Sequence, residues 1–391
     1  MSANLLIITD GYPDAEKAEC QFVYDLVGQT RQLFEHVYVI SPQPFDPRPR
    51  AHVFKSYGYE NVSVWYPRFF TIPTNLGRLL NGKLAYYAAQ RIIKKNQLQF
   101  DLIHSQFVYV SGETGMYLKY KYKKPLIVHA RGSDIHSLPT RSGRWKNKII
   151  RVLKSADHVI AVSQDMESAV KKLVPDLEKP ITVALSGFDP ALFNDGAFAL
   201  RAKKREELEV SPTTKLFIAI GRLHPVKQFD LLVTAFVAFK RMYHGDCRLL
   251  ILGSGPEKKA LQELIETYTA AHFIELLPSV RHTKIPEYIA AADVITITSK
   301  FEGGPVVLLE ALAMGRPVVT TNVGIAADIL KNPEHGTIIH EQRVESITAV
   351  LLAAAQKEWD TTEIKNYGQQ FSEEKLSDAT GAVYRQYAKI V

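Results

Sequence analysis

Cysteine is nearly absent. Cys20 and Cys247 are the only two in 391 residues, they fall in different halves, and neither stands in a metal-ligand spacing. That excludes a disulfide-stapled scaffold and a zinc module, and two reduced thiols in a cytoplasmic protein are expected. No stretch approaches the roughly 20 apolar residues of a membrane-spanning helix. The opening MSANLLIITDGYP has no basic start and no cleavage site, so it reads as a first strand rather than a signal peptide. HExxH, CxxC and GxSxG are all missing, which removes the commonest metalloprotease, thiol-redox and serine-hydrolase arrangements. Asn61-Val62-Ser63 is a glycosylation sequon in form only. GRLLNGK, Gly77 to Lys83, has the spacing of a phosphate loop, but Leu84 stands where a Mg²⁺-binding Ser or Thr belongs.

What is present is the composition of a globular chain long enough for two domains, 46% hydrophobic and 23% charged. The net charge of +7 is unevenly placed: residues 1–185 hold 25 Lys+Arg against 16 Asp+Glu, and the remainder 23 against 25. Short β-branched runs (LLIIT, HVYVIS, DLIHS, PLIVHA, HVIAVS, ITVALS) alternate with helical patterns, which predicts a parallel sheet covered on both faces. The pattern breaks between Gly187 and Thr214 and restarts with KLFIAIG, CRLLILG, HFIELL, DVITITS, PVVTT and GTIIH. The expected organisation is therefore an α/β chain with a doubly wound domain at 1–187, a linker at 188–212, a second such domain at 213–365 and a terminal helix within 366–391. Tandem domains of this kind are expected to hold a ligand in the cleft between them, at strand carboxyl ends.

The segment DVITITSKFEGGPVVLLEALAMGRPVVTTNVG, residues 293–324, carries the strongest chemical signal. A buried strand ends in a loop, Ser299 to Gly304. Pro305 suits the first helical position, and a helix from Val306 to Met314 stops at Gly315. Gly303 and Gly304 permit close approach of a ligand, and the free N–H groups of a helix start attract an anion with about 0.3–1 kcal/mol. Glu302 and Glu310 frame this turn. Either alone would read as an ordinary helix acid, but Glu310 stands among Leu308, Leu309, Ala311 and Leu312, which is no solvated face. Carboxylates on both sides of an anion site suit the hydroxyls of a sugar nucleotide.

This E-x7-E spacing resembles the signature of the retaining GT-B glycosyltransferases of family 4, the glycosyl transferases group 1, and in particular those of the bacterial surface-polysaccharide and teichuronic-acid type. GRLHPVKQFDLLV, LLILGSGPEKKAL and LLPSVRHTKIPEYIAAADV resemble further blocks of that family in the same order. The resemblance implies a GT-B fold: two Rossmann-like doubly wound domains, an inter-domain cleft and a C-terminal helix crossing back to the N-terminal domain. It implies that Arg222 and Lys227 grip the donor diphosphate, that Glu302 faces the donor sugar with the backbone of Gly303, Gly304, Pro305 and Val306 beside it, and that Glu310 binds the ribose. Val280 and Arg281 would lie along the base, and Gly253 and Gly255 would allow close approach at the neighbouring strand end, a role compatible with an ordinary tight turn. No Asp-x-Asp pair is present, so no metal and no cofactor are expected. The co-substrate would be a nucleoside-diphosphate sugar, a UDP-sugar by expectation. Such enzymes react on one sugar face through an oxocarbenium-like pathway, the leaving phosphate oxygen taking the acceptor proton.

The first half departs from the family pattern. PDAEKAECQFVYDL lacks the glycine pair that follows the first strand in many members, and HARGSD puts Arg131 where many carry the histidine of His-Gly-x-Asp, with Asp134 retained. His129, two residues earlier, is an alternative to Arg131, or simply a strand histidine. Gln228 replaces a frequent glycine. RSGRWKNKIIRVLK, residues 141–154, holds six cations and no acid around Trp145, Ile149, Val152 and Leu153. It fits equally a solvated helix and a contact with an anionic membrane. The expected partners are thus the sugar donor, a lipid-linked or surface-glycan acceptor and an anionic membrane surface, without nucleic acid, since no such motif occurs. The expected location is the cytoplasm and the inner face of its membrane. A sugar-nucleotide epimerase or phosphorylase of the same fold, and a non-catalytic module binding nucleotide sugars or lipids, stand as alternatives.

Overall fold

The computed structural model describes residues 3–14, 20–45, 52–71, 74–376, 378–388 and 390. Part of the stretch where the glycine pair is missing, residues 15–19, lies outside them. The chain divides into two compact units: Met1–Ser186 with Leu376–Val391, and Gly187–Lys375.

The first unit is built on eight strands: β1 (Asn4–Thr9), β2 (His36–Ile40), β3 (Tyr57–Tyr59), β4 (Val62–Trp65), β5 (Leu102–Gln106), β6 (Leu126–Ala130), β7 (His158–Ala161) and β8 (Ile181–Val183). They lie in the order β8-β7-β6-β5-β1-β2-β4-β3, and every pairing is parallel except that of β3 with β4. The period of two places Leu5 and Ile7 in one apolar cluster and Leu6 and Ile8 in another, so the sheet is buried on both faces. Its helices include α1 (Gln21–Thr30), α2 (Asn81–Lys95), α3 (Glu113–Tyr122), α4 (Gly143–Ser155) and α5 (Gln164–Leu173). The helix Asp378–Ala388 belongs to this unit as well. Its Val383 and Tyr384 are buried in the cluster that holds Leu5 and Ile7.

The apolar residues of α4 do not face outward. Trp145, Ile149, Val152 and Leu153 are buried in the unit's own core. Two of the helix's cations, Lys148 and Arg151, reach the fully buried carboxylate of Glu113 at 2.5 and 2.8 Å. Removing one partner of a buried ion pair is costly. The segment read as amphipathic is therefore largely a core helix, with Arg144, Lys146 and Lys154 left exposed.

In the second unit six parallel strands, β9 (Lys215–Ile220), β10 (Cys247–Leu252), β11 (Ile274–Leu277), β12 (Val294–Ile297), β13 (Val318–Thr321) and β14 (Gly336–Ile339), lie in the order β11-β10-β9-β12-β13-β14. This is the doubly wound 3-2-1-4-5-6 arrangement, whose order reverses between β9 and β12. Helices α6 (Phe229–Met242), α7 (Lys258–Thr267), α8 (Ile285–Ala291), α9 (Val306–Ala313), α10 (Val344–Gln356) and α11 (Thr361–Gly368) complete it. Residues 188–212, read as a linker, are part of this unit and contain the helices Asp195–Phe198 and Arg201–Glu207. Arg201 donates to the carbonyls of Ala290, Ala291 and Ala292 at 2.6–2.8 Å, and Arg205 to that of Ala291 at 3.0 Å. Both also pair with Asp293. These guanidinium groups satisfy carbonyls that the end of α8 leaves without helical partners, which fastens the segment down.

Candidate functional site

The second unit brings Arg222, Lys227 and Glu302 to one place, the switch point between β9 and β12. The loop after β9 carries Arg222 and Lys227, and the loop after β12 carries Glu302. The backbones are tied together: the Lys300 N–H donates to the Val226 carbonyl at 2.7 Å, and Thr298 Oγ1 to the Lys227 carbonyl at 3.1 Å. Across this join Lys227 Nζ stands 2.5 Å from Glu302 Oε1, which also accepts from Ser299 Oγ at 2.6 Å. Both charged side chains remain partly open to solvent, at 24% and 15%. Arg222 is exposed and makes none of the hydrogen bonds or ion pairs seen among the described residues. A lysine held by a carboxylate beside an exposed arginine can take up a diphosphate through three or more donors.

Helix α9 starts directly behind Glu302, Gly303 and Gly304. Pro305 is the residue before its first turn, with extended backbone at φ −70° and ψ 98°, so it caps the helix rather than opening it. The difference is small, because Pro in either place costs no helical hydrogen bond. The other end follows expectation. Gly315 is left-handed (φ 67°), its N–H donates to the Leu312 carbonyl at 2.9 Å, and the Arg316 N–H returns to Ala311 at 2.8 Å. That is a Schellman closure, for which glycine is favoured. Glu310, one turn into α9, is buried at 5% exposure, and His282 Nε2 meets its Oε1 at 2.8 Å. The ring of His282 in turn packs on Phe193 at 5.6 Å. Sequence reading had placed Val280 and Arg281 at the base but passed over His282, because a single histidine two residues on carries no spacing signal.

Val280 is partly buried and Arg281 exposed, both in the turn between β11 and α8. Gly253 and Gly255 serve backbone packing. A Cβ at Gly253 would overlap the Gly221 carbonyl oxygen, and one at Gly255 (φ 157°) the Leu223 carbonyl. The Leu223 N–H donates to the Ser254 carbonyl at 2.9 Å, so the two glycines let the loop that carries Arg222 lie against the end of β10. Gln228 adopts φ 50° and ψ 41°, the left-handed conformation that glycine takes without cost.

Arg131, Asp134 and His129 belong to the first unit, at the carboxyl end of β6. Asp134 is buried and accepts from the Val108 N–H at 2.7 Å and the Gly132 N–H at 2.9 Å. Burial raises its pKa, and these bonds oppose the rise. His129 is 2% exposed and stacks on His104, ring centres 5.5 Å apart and 7° from parallel. Burial first, and then the charge of Arg131, hold both imidazoles neutral: His104 is pushed down to about 3 and His129 well below the usual value. Arg131 is the more accessible of the two alternatives. Its Nε and Nη2 donate to Gln106 Oε1 at 2.9 and 2.6 Å, and its guanidinium lies 4.5 Å over the ring of Phe22.

One carboxylate that the sequence reading missed lies at this unit's own switch point, between β1 and β5. Asp10 follows β1 and accepts from the backbone N–H groups of Val110 and Ser111, both at 3.0 Å, and from the Ser111 hydroxyl. Solvent reaches it from one side, while the protein crowding its other sides raises its pKa to about 6 against those hydrogen bonds. An aspartate directly after an apolar first strand was the available signal.

Two doubly wound units, with a cation–acid pair and a helix start at the switch point of the second, are the architecture of the GT-B type. Residues 21–192 match the family Glycosyltransferase Family 4, and residues 201–371 match Glycosyl transferases group 1. The chain belongs to this family. It is similar to TuaC, a Bacillus subtilis glycosyltransferase assigned to teichuronic acid biosynthesis, with 26% identity over 85% of this chain and 84% of TuaC. In fold it resembles sucrose-phosphate synthase from Thermosynechococcus elongatus (TM-score 0.77, 19% identity, 98% of each chain). It also resembles HepE from Anabaena in complex with UDP and glucose (TM-score 0.69, 18% identity, 99% of this chain and 95% of HepE).

Proposed function

We propose that the chain transfers a hexose-type sugar, with retained anomeric configuration, from a UDP-sugar to a lipid-linked or surface-glycan acceptor, without a metal ion. The observation that carries this reading is the pair Lys227–Glu302 at the switch point of the second unit, 2.5 Å apart beside the start of α9. Incoming diphosphate would draw Lys227 from Glu302, leaving that carboxylate to accept from sugar hydroxyls. Lys227, Arg222 and the α9 N–H groups then stabilise the charge that grows on the leaving diphosphate. Glu310, oriented by His282, accepts from the ribose hydroxyls. With no side chain assigned as a covalent nucleophile, the leaving phosphate oxygen takes the acceptor proton on the face it departs from. UDP as the donor nucleotide is supported by its presence in HepE. A surface glycan as acceptor is supported by the assignment of TuaC to teichuronic acid biosynthesis.

Contact with an anionic membrane is part of the same proposal, through the exposed Arg144, Lys146 and Lys154 of α4 and Arg91, Lys94 and Lys95 of α2. Among the described residues, no helix is long and apolar enough to cross a membrane.

The test is a panel of nucleoside-diphosphate sugars followed by thermal unfolding and release of nucleotide, with and without EDTA. Stabilisation and turnover with one UDP-sugar, undiminished by EDTA, are expected. Turnover that EDTA abolishes removes the metal-independent mechanism, and a free epimer as product replaces transfer with epimerisation.

A further inference from the structure

The arginines of this chain differ in what neutralises them. Arg201 and Arg205 pair with Asp293, and Arg151 with Glu113. Arg316, buried at 5%, donates to the Met314 and Ala292 carbonyls, which lie at the ends of α9 and α8 where the helix dipole is negative. Among the described residues Arg131 has neither an ion pair nor a helix end against it. Its partners are the amide oxygen of Gln106, the hydroxyl of Ser186 at 3.4 Å, the neutral ring of His129 at 3.4 Å and the face of Phe22. Cys20 and then Asp134 favour its charge from a distance, but the oxygens of Asp134 accept from the Val108 and Gly132 N–H groups rather than from the guanidinium. Burial pulls the Arg131 pKa down to about 10, so the surroundings disfavour its charge.

The partners nonetheless fix its direction. Gln106 grips Nε and Nη2 on one edge of the fork, and its own amide N–H is spent on His104, which meets Tyr384 Oη at 2.6 Å. Phe22 covers one flat face. Nη1 is the side of the guanidinium that stays least used, with one 3.4 Å contact for two N–H donors. This cation sits at the carboxyl end of β6, beside β5, on the sheet edge where doubly wound domains bind ligands. Among the described residues no carboxylate lies within ion-pair distance of this positioned and partly desolvated guanidinium, and Asp134 acts on its charge only from farther off, so an oxyanion carried by a ligand would meet donors already aimed.

We propose that Arg131 is a specificity-determining residue that receives an anionic group, a carboxylate or a phosphate, carried by one of the two substrates. The sugar transferred or the acceptor is therefore acidic. A permanent, planar cation at this position does what a histidine cannot: it binds an oxyanion at any physiological pH. The proposal rests on the reading of the chain as a UDP-sugar transferase and narrows it.

The experiment uses the full chain in two arms. In the first, UDP-glucuronate and UDP-glucose are compared by calorimetric titration and by UDP release. In the second, transfer to a phosphate-bearing or carboxylate-bearing glycan is compared with transfer to its neutral counterpart. The wild type is expected to favour the acidic member at least tenfold in one arm, which identifies the source of the anion. Arg131→Gln should bring that ratio to within twofold of one, and Arg131→Lys should keep part of it, which loss of folding would not do. Equal use of acidic and neutral members in both arms overturns the proposal, as does a preference that survives Arg131→Gln. Absence of UDP release from every donor instead refutes the transferase reading, a different result from release without preference.

Discussion

The switch points of the two units hold their charges in opposite ways. In the second unit Lys227 and Glu302 face each other from the loops after β9 and β12, cation on acid, both partly wet. In the first unit Asp10 accepts its hydrogen bonds from the backbone of residues 110 and 111, and nearby, at the end of β6, Arg131 donates to neutral side chains. A partly solvated pair of side chains can be parted by a charged ligand at modest net cost, the cation taking the ligand's anion and the carboxylate the ligand's hydroxyls. A carboxylate fixed by backbone N–H groups and an arginine fixed by an amide are instead set in place before any ligand arrives. The second arrangement suits selection, the first suits turnover of a diphosphate.

Breaking the second unit's pair should give the largest effect. Lys227→Ala is expected to lower turnover by roughly 10² to 10³, about 3–4 kcal/mol of barrier, as for loss of one oxyanion donor. Nucleotide release at saturating donor measures it, and an unaltered rate removes Lys227 from the mechanism. In the first unit Asp10→Asn should chiefly loosen the loop. The two N–H groups go to different oxygens of Asp10, one of which becomes an NH2 that cannot accept, so about 1.5 kcal/mol of local stability is lost. Amide exchange at Val110 and Ser111 then speeds roughly tenfold, with the sheet amides unchanged.

The stacked histidines below Arg131 sharpen the contrast through pH. Their folded pKa values lie below the ordinary 6.5, to about 3 for His104, so the unfolded chain binds protons that the folded one refuses. The stability from these neutral rings is full above pH 6.5 and is lost progressively as pH falls from there towards 3. His104→Gln should flatten that acid slope in thermal unfolding curves between pH 6.5 and 4. An identical slope would mean that other groups set it. The smallest effect is expected at Gln228. Its left-handed backbone suggests that Gln228→Gly raises stability by about 0.5–1 kcal/mol, the relief of strain less the added freedom of the unfolded glycine. Denaturant midpoints resolve a change of that size.

What could be read beforehand follows the same division. The segment from Asp293 to Gly324 holds strand, loop, helix start, both glutamates and the closing glycine in one run. Local rules for caps and periods therefore located Glu302 and Glu310 relative to α9 correctly, with Pro305 displaced by a single position. Residues 188–212 were harder. Their short helices have little periodicity, and what fastens them is Arg201 and Arg205 reaching carbonyls some 90 positions away. The basic segment 141–154 showed its six cations but not their use, because the acid that takes two of them, Glu113, lies on another helix.

By itself the sequence determined the alternation of strands and helices, the restart that gives a second unit, and the local geometry around α9. These depend on periodicity, capping and glycine conformation, which act over a few neighbouring residues. Only the tertiary structure decided which charges meet. Lys227 reaches Glu302 across 75 positions, His282 finds Glu310 across 28, Asp10 takes the loop a hundred residues on, and Arg131 donates to Gln106 across 25. Such pairings are set by strand order, which brings distant carboxyl ends together at one edge, and strand order is a property of the whole sheet.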